Sequence, residues 1–495
     1  MLSELKQELL HDMSKITNGG ITEDEAGDSD AALKNFLYNP AHKRVLEPGI
    51  ILILGGRGAG KSALFEMLSG KSGREAFTST ALNSHQPSQE TWISGYGRSK
   101  ESRISLPAPE TIERVISSAN NYRIRSFWVG LWVGQLLQHD SAEHLRPFFN
   151  SLPPSLIEAL TKSLGVIQRW LPDVEEHLDY INQAFDEMDQ HLAEHGQWLY
   201  MTYDELDRLT TSHDKLAGPI RELLAFWLDR YRRWERIRPK IFLRSDLFQQ
   251  DYLGFPDASK LRPHQLQLEW TTSWLYQLLI KRMANGSDRM KQYLDQIPGL
   301  IVRKDDQFGY IPTPDEALHE KFMTHLVGEF MGADARKGNS YRWVPNHLQD
   351  AEKRIAPRSF LKLFAGAALQ ELKRFDSKLL LQNRLVQPSA LQGALMETSE
   401  DRIAELAQEE YRWLNHLKPN LYGITVPAQK AIFIDAIKRT EWTKDQPLVT
   451  QPSELIEYMK SLGILEQRSD GRINMPEIYL YGFRMKRMGG VKRPK

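Results

Sequence analysis

Hydrophobic positions along the chain change their period several times, and each change marks an element. Leu2, Leu5, Leu9, Leu10, Met13 and Ile16 recur at helical spacing and predict an amphipathic helix at the start of the sequence. An acidic stretch with Glu23, Asp24, Glu25, Asp28 and Asp30 reads as a loop, and Ala31 to Leu37 as a short helix leading into a turn at Pro40. Ile51-Leu52-Ile53-Leu54 is a continuous apolar run, which reads as a buried strand, and Ala63 to Leu68 carries an amphipathic helix. From Ser72 to Gln89, Ser, Thr, Gly and Asn dominate, with Pro87 near the end, and the stretch predicts an exposed connection. Glu90 to Tyr96 is a second strand. Helical patterns then run from Pro109 to about His195 with a break at Pro153-Pro154. Trp198 to Tyr203 and Lys240 to Leu243 are two further strands, and Gln265 to Leu268 is a short one, followed by a helix over Thr271–Met283. This alternation predicts a doubly wound parallel sheet that binds its ligand at the strands' carboxyl ends.

Beyond Leu372 the pattern is helical to about Glu410, Pro419 and Gly423 mark a loop, and helices resume from Pro427. Ser453 to Leu465 reads as a capped helix closed by Gly463, and Glu466 to Met475 as a hairpin turning at Asp470-Gly471. Past Glu477 there is no acidic residue, and Arg484, Lys486, Arg487, Lys492, Arg493 and Lys495 form a basic tail.

The chemistry sits between the first apolar run and its helix. Gly55, Gly60, Lys61 and Ser62 meet the spacing G-x-x-x-x-G-K-[ST], and with Gly56, Arg57, Gly58, Ala59 and Ala63 they form the candidate nucleotide-binding stretch. Glycines let the backbone wrap closely enough to turn its N–H groups toward phosphate oxygens. Lys61 reaches the β- and γ-phosphates as a point charge, and the Ser62 hydroxyl is placed to ligate Mg²⁺. The helix that follows aims its positive end at the same anion. A strand ending in an acidic pair is the second half such a site requires, and Trp198–Tyr203 ends in Asp204-Glu205-Leu206-Asp207. Asp204 is then the metal-side carboxylate beside Ser62, and Glu205 the group that polarises the attacking water. The polar tip Arg244-Ser245-Asp246 of the next strand should lie beside Asp204.

Composition narrows the field. The chain has 495 residues, enough for about three domains at roughly 150 residues each. Its 64 basic and 64 acidic residues cancel, so any contact with nucleic acid must come from a local patch such as the basic tail. The absence of cysteine excludes disulfides, thiolate zinc sites and a cysteine nucleophile, and is compatible with a cytoplasmic setting. The opening residues carry no secretory pattern, and Phe127–Leu137, with Trp128 and Trp132, is shorter than the ~20 residues a bilayer needs, so it reads as a core helix.

The order of these motifs resembles AAA+ ATPases, with the closest likeness to the origin-recognition-like and STAND-like branches, which include ATPases of bacterial antiviral defence systems. The resemblance rests on the phosphate loop, Asp204-Glu205-Leu206-Asp207, the polar-tipped strand, and the helix entered by Leu268-x-Trp270 that carries Leu275, Leu278 and Arg282. It spans roughly residues 37–372 and implies an α/β parallel-sheet P-loop core with large helical insertions, a helical lid and a C-terminal winged-helix-like domain. By position it makes Arg244, Ser245 or Asp246 a sensor residue, Arg262 (or Lys260) an arginine finger for a neighbouring subunit, and Arg358 of Ile355-Ala356-Pro357-Arg358 a second sensor on the lid. It divides the chain into an N-terminal helical segment over 1–36, the ATPase core over 37–283 with an insertion at about 139–195, insertion plus lid over 284–375, and a helical and winged-helix-like region with the basic tail over 376–495. No L-S-G-G-Q-like signature precedes Asp204, which argues against an ABC-type ATPase.

His191-Leu192-Ala193-Glu194-His195 matches an inverted zinc-protease pattern, but it lies at a polar helix end that must turn at once into the Trp198 strand. His139 and His144 read as surface residues, and Trp128, Trp132, Trp270 and Trp274 as core. The expectation is an ATP- and Mg²⁺-dependent switch that self-associates and works with an effector partner, with nucleic-acid contact through the basic tail and no membrane association. The alternative is a nucleotide-binding sensor with slow or no turnover that recruits an effector.

Overall fold

The computed structural model describes residues 2–17, 29–80, 89–97, 104–117, 119–211, 215–248, 256–373, 384–443 and 445–489. The acidic stretch around 18–28, the Pro87 region and the tail residues Lys492, Arg493 and Lys495 lie outside them. The chain forms two compact units, one of Tyr38–Leu268 and one of Met1–Leu37 with Glu269–Lys495.

In the first unit, β1 (Leu52–Gly55), β2 (Glu90–Tyr96), β3 (Trp198–Tyr203), β4 (Ile237–Arg244) and β5 (Gln265–Gln267) make one sheet in the order β2-β3-β4-β1-β5. Every adjacent pair is parallel. β1 is buried along its whole length, as its unbroken apolar run requires with neighbours on both sides. All five carboxyl ends therefore gather at one edge. The polar tip of β4 stands between the ends of β3 and β1, in register with Gly55.

The stretch expected as an exposed connection after Ser72 is in part a helix, Lys71–Thr80. Its Ser- and Thr-rich sequence has little intrinsic helical preference, and tertiary contacts decide the outcome. Phe77 is fully buried edge-on to Tyr38 at 4.9 Å, and Arg74 Nη1 donates to the Leu68 and Ser69 carbonyls, both at 2.7 Å. At Gly73 an added Cβ would fall 2.0 Å from the Met67 carbonyl oxygen, so only glycine fits the corner between this helix and Lys61–Ser69.

The helical segment between β2 and β3 is built around Asn121–Gln138, which is buried on every side from Ser126 to Leu137 and so behaves as a core helix. Trp132 stacks on Phe185 at 4.1 Å and leans on Trp227 at 4.7 Å. Gly130 and Gly134 let the facing chain come close: a Cβ would lie 2.3 Å from the Trp170 ring and 2.4 Å from Leu164 Cδ1. This mass is tied to the sheet by Asp189 of helix Leu178–Glu194. Its carboxylate accepts the backbone N–H groups of Glu235 (2.7 Å), Arg236 (2.7 Å) and Ile237 (3.0 Å) at the start of β4. Lys240 of β4 ties that strand to the segment before β1, buried with Nζ donating to the Glu47 and Ile50 carbonyls at 2.6 and 2.7 Å. Burial pushes this lysine down to about 7.

The second unit is helical with small β pairs. The opening helix Leu2–Ser14 belongs to it, with Asp12 accepting from Ser287 Oγ at 2.6 Å. Helix Thr272–Gly286, the antiparallel pair Ile301–Asp305 and Gly309–Pro312, and helices Pro357–Lys373 and Pro388–Glu409 follow. Pro419, expected in a loop, sits inside helix Leu414–Leu421. The helix expected to be capped near Ser453 spans Pro452–Ser461, with the Gln451 side chain accepting the Glu454 N–H at 2.8 Å. Glu466–Gln467 and Ile473–Asn474 pair antiparallel around Gly471, and Lys486–Arg487 lies parallel to Thr425–Val426. Arg487 of the basic tail pairs with the buried Glu477, which also faces His347 Nε2 at 3.2 Å. Among the described residues no helix is long and apolar enough to cross a membrane.

Asp189→Ala strips three charge-assisted bonds from backbone donors at the start of β4 and should cost about 2–4 kcal/mol of unfolding free energy, read from the shift in denaturant midpoint. An unchanged midpoint would show that the helical segment is anchored elsewhere.

Candidate nucleotide site

The end of β1 turns immediately. Gly58 and Gly60 hold φ of 75° and 96°, the left-handed region that glycine enters without a steric penalty. At Gly55 a Cβ would meet Ala59 Cβ at 3.1 Å and Lys61 Cγ at 3.5 Å, so the loop closes tightly over its own first residue. Gly60 is the N-cap of helix Lys61–Ser69 and brings no side-chain cap, which leaves the first-turn N–H groups to an incoming anion. Arg57, Gly56 and Ala63 are half-buried around this turn, and Ala59 is buried. Lys61 folds back along the loop, its Nζ donating to the Gly55 and Gly56 carbonyls, both at 3.0 Å. Burial lowers its pKa, and the negative charge of Asp204 opposes that effect.

Asp204, at the end of β3, is buried. Loss of solvent pushes its carboxyl up to about 6, while the nearby Ser62 hydroxyl, the Glu205 backbone N–H and the charge of Lys61 pull it back down. Its own N–H donates to the Tyr96 carbonyl at 2.9 Å. Gly97, just past β2, makes room for it: at φ 123°, an added Cβ would lie 3.3 Å from the Asp204 nitrogen and 3.1 Å from Phe65. Glu205 differs from Asp204 in every respect. Its backbone is left-handed at φ 55°, and its more exposed carboxylate faces Arg208 Nη1 at 3.4 Å.

At the tip of β4, Arg244 is buried and makes a fork to Asp246, Nε to Oδ1 at 3.1 Å and Nη2 to Oδ2 at 2.6 Å. Its Nη1 reaches Asp207 Oδ2 at 3.5 Å. Ser245 donates its N–H to the Gly55 carbonyl at 3.3 Å and accepts at Oγ from Gln267 Nε2 at 3.0 Å. The three polar-tip residues therefore have separate tasks: Arg244 carries the charge, Asp246 orients it, and Ser245 joins the sheet edge to the loop.

Lys61, Ser62, Asp204 and Arg244 thus meet at one edge of one sheet. Arg262 lies exposed on the 3-10 turn Pro256–His264 before β5, with Lys260 exposed on the same turn. Arg282 and Arg358 belong to the other unit, on helices Thr272–Gly286 and Pro357–Lys373, and the charge of Arg358 acts on Glu405 there. His191 and His195 have their rings 4.1 Å apart, with His195 Nδ1 against the His191 carbonyl at 2.8 Å. Among the described residues no three His, Asp or Glu side chains are grouped to hold a metal. The Ser62 hydroxyl and the Asp204 carboxylate fit Mg²⁺ in another way, since that ion is commonly bound by one or two carboxylates, water and substrate phosphates.

No family model matches this chain, and no curated protein sequence does. Solved structures do. The Aeropyrum pernix ORC1 protein in complex with DNA matches 95% of this chain and 94% of its own at 13% identity and a TM-score of 0.34. The Aeropyrum pernix ORC2 protein matches in its ADPNP–ADP complexes (94% and 96%, 13% identity, TM-score 0.38) and in its ADP form (94% and 94%, 12% identity, TM-score 0.30). The architecture is an α/β P-loop sheet. The strand order β2-β3-β4-β1-β5, the loop after β1 and the acidic end of β3 make it so.

Two residues of the site were given no role from the sequence, Asp207 of the quoted acidic motif and Gly97. Asp207 is three positions beyond Asp204, a spacing that a 3-10 turn brings back toward β4. Gly97 follows the second strand, where a glycine closing an apolar run marks a close backbone approach.

Relief of the left-handed backbone at position 205 is measurable. Glu205→Gly should leave thermal stability unchanged or raise it by up to about 1 kcal/mol. A loss greater than that would mean the Glu205 side chain holds the turn together.

Proposed function

We propose that this chain is an Mg²⁺-dependent ATP-binding and hydrolysing switch. The observation that carries the reading is the buried Asp204 carboxylate, which lies beside Ser62 and Lys61 of a glycine-built phosphate loop. Loop N–H groups and the Lys61 ammonium bind the β- and γ-phosphates, and Ser62 with Asp204 holds the metal. When bound, Mg²⁺ neutralises phosphate charge. Glu205 orients a water for in-line attack on the γ-phosphorus and takes its proton as the bond to the bridging oxygen breaks, giving ADP and phosphate. Arg244, buried at the sheet edge, senses the terminal phosphate. Arg262, exposed, acts in a neighbouring copy, and Arg358 reports nucleotide state from a lid.

The wider role follows the resemblance to ATPases of antiviral defence systems: the switch self-associates and passes its state to an effector partner. In this reading 376–495 supplies a winged-helix-like region, built on helix Pro452–Ser461 and its hairpin, that contacts partner protein or nucleic-acid backbone through Arg484 and Lys486. A second reading, a nucleotide-binding sensor with slow turnover, is favoured by one observation. Glu205 faces Arg208, an ion pair that must open before the carboxylate can act on water.

Glu205→Gln should retain ATP binding and lose turnover by at least about a hundredfold, measured as phosphate release at saturating MgATP. Full activity would remove Glu205 from its role. If Arg262 works in trans, specific activity should fall on dilution and in Arg262→Ala; a flat dilution series would end the shared-site proposal.

A further inference from the structure

Five charged side chains crowd the carboxyl edge of the sheet: Lys61 and Arg244 against Asp204, Asp207 and Asp246. Arg244 stands at their centre, because β4 lies between β3 and β1 and its tip is in register with Gly55. Only 5% of it is exposed, so each anionic neighbour acts on it through little water.

Its carboxylate contacts among the described residues, to Asp246 and Asp207, are unequal. Asp246 grips the guanidinium at two points, 3.1 and 2.6 Å, the planar fork that fixes orientation as well as charge. Asp207 touches a different nitrogen, Nη1, at 3.5 Å, the outer limit of a hydrogen bond, and is itself 29% exposed. A phosphate oxygen arriving beside Lys61 competes for Arg244 with the weak contact and leaves the fork in place.

Resting on the nucleotide reading above, we infer that Asp246 and Asp207 set in opposite senses how far Arg244 favours a nucleoside triphosphate over a diphosphate. Asp246 is a positioning residue that holds the guanidinium facing the terminal phosphate. Asp207 is a competitor that the terminal phosphate displaces. A diphosphate ends short of Arg244 and disturbs neither contact, so the two carboxylates act on the triphosphate alone.

The test is equilibrium titration of the full chain with ADPNP and with ADP, both with Mg²⁺, for the unaltered protein and for Asp207→Asn, Asp246→Asn and Asp246→Glu. Asp207→Asn should tighten ADPNP by about threefold to tenfold relative to ADP, and Asp246→Asn should weaken it by about tenfold or more, the worth of one charge-assisted contact. Asp246→Glu, which keeps the charge and a fork, should recover part of the loss. A merely structural role would move both nucleotides together or unfold the chain, so an ADPNP-to-ADP ratio within about twofold of the unaltered protein in both asparagine variants overturns the inference. Failure of the unaltered chain to bind either nucleotide overturns the reading of the loop itself, and the inference with it.

Discussion

A buried carboxylate is the constraint on which this structure turns. Asp204 sits out of water at the end of β3, where an ionised oxygen is tolerated only with donors around it. The Ser62 hydroxyl and the Glu205 backbone N–H lie beside it as donors, and Lys61 supplies the opposing charge. Ser62 and Lys61 can do so only if the helix after β1 starts where it does, which depends on the left-handed turns at Gly58 and Gly60. Glu205, next in the chain, holds a left-handed backbone of its own at φ 55°. The loop, the acidic strand and the strained residue are one electrostatic arrangement.

The rest of the Tyr38–Leu268 unit keeps that arrangement stiff. Parallel pairing brings every carboxyl end to the same edge, and the register of β4 against β1 puts Arg244 level with Gly55. Behind the sheet, the aromatic core around Trp132 and the Asp189 carboxylate fix where β4 begins. A shift of β4 by one residue would turn Arg244 to the opposite face of the sheet and leave Asp207 and Asp246 without their shared cation.

The local parts of this design were legible in the sequence, because each carries its own signal. The apolar run before Gly55, the loop spacing and the acidic end of Trp198–Tyr203 locate the sheet edge without any tertiary knowledge. The β4 tip was legible as a polar tip, yet nothing in Arg244-Ser245-Asp246 says which residue is buried; the register of β4 between β3 and β1 decides it. Lys71–Thr80 was missed as a helix because Phe77 is buried against Tyr38, a contact distant in sequence, while Arg74 bonds locally to the end of the preceding helix. Pro419 was read as a breaker, yet it sits inside the short helix Leu414–Leu421, which the burial of Leu414, Leu417 and Leu421 holds in place. That residues 2–14 fold with 269–495 could not be seen at all, since an amphipathic face does not name the surface that covers it.

The central claim is that Gly55–Ser62 and Asp204 form one MgATP site. Calorimetric titration of the purified chain with ATP, with and without Mg²⁺, in parallel with Lys61→Ala, tests it most directly. The account predicts saturable one-to-one binding that strengthens with Mg²⁺ and is lost in the variant. Dilution heats alone from the unaltered chain, or equal binding by the variant, would contradict it.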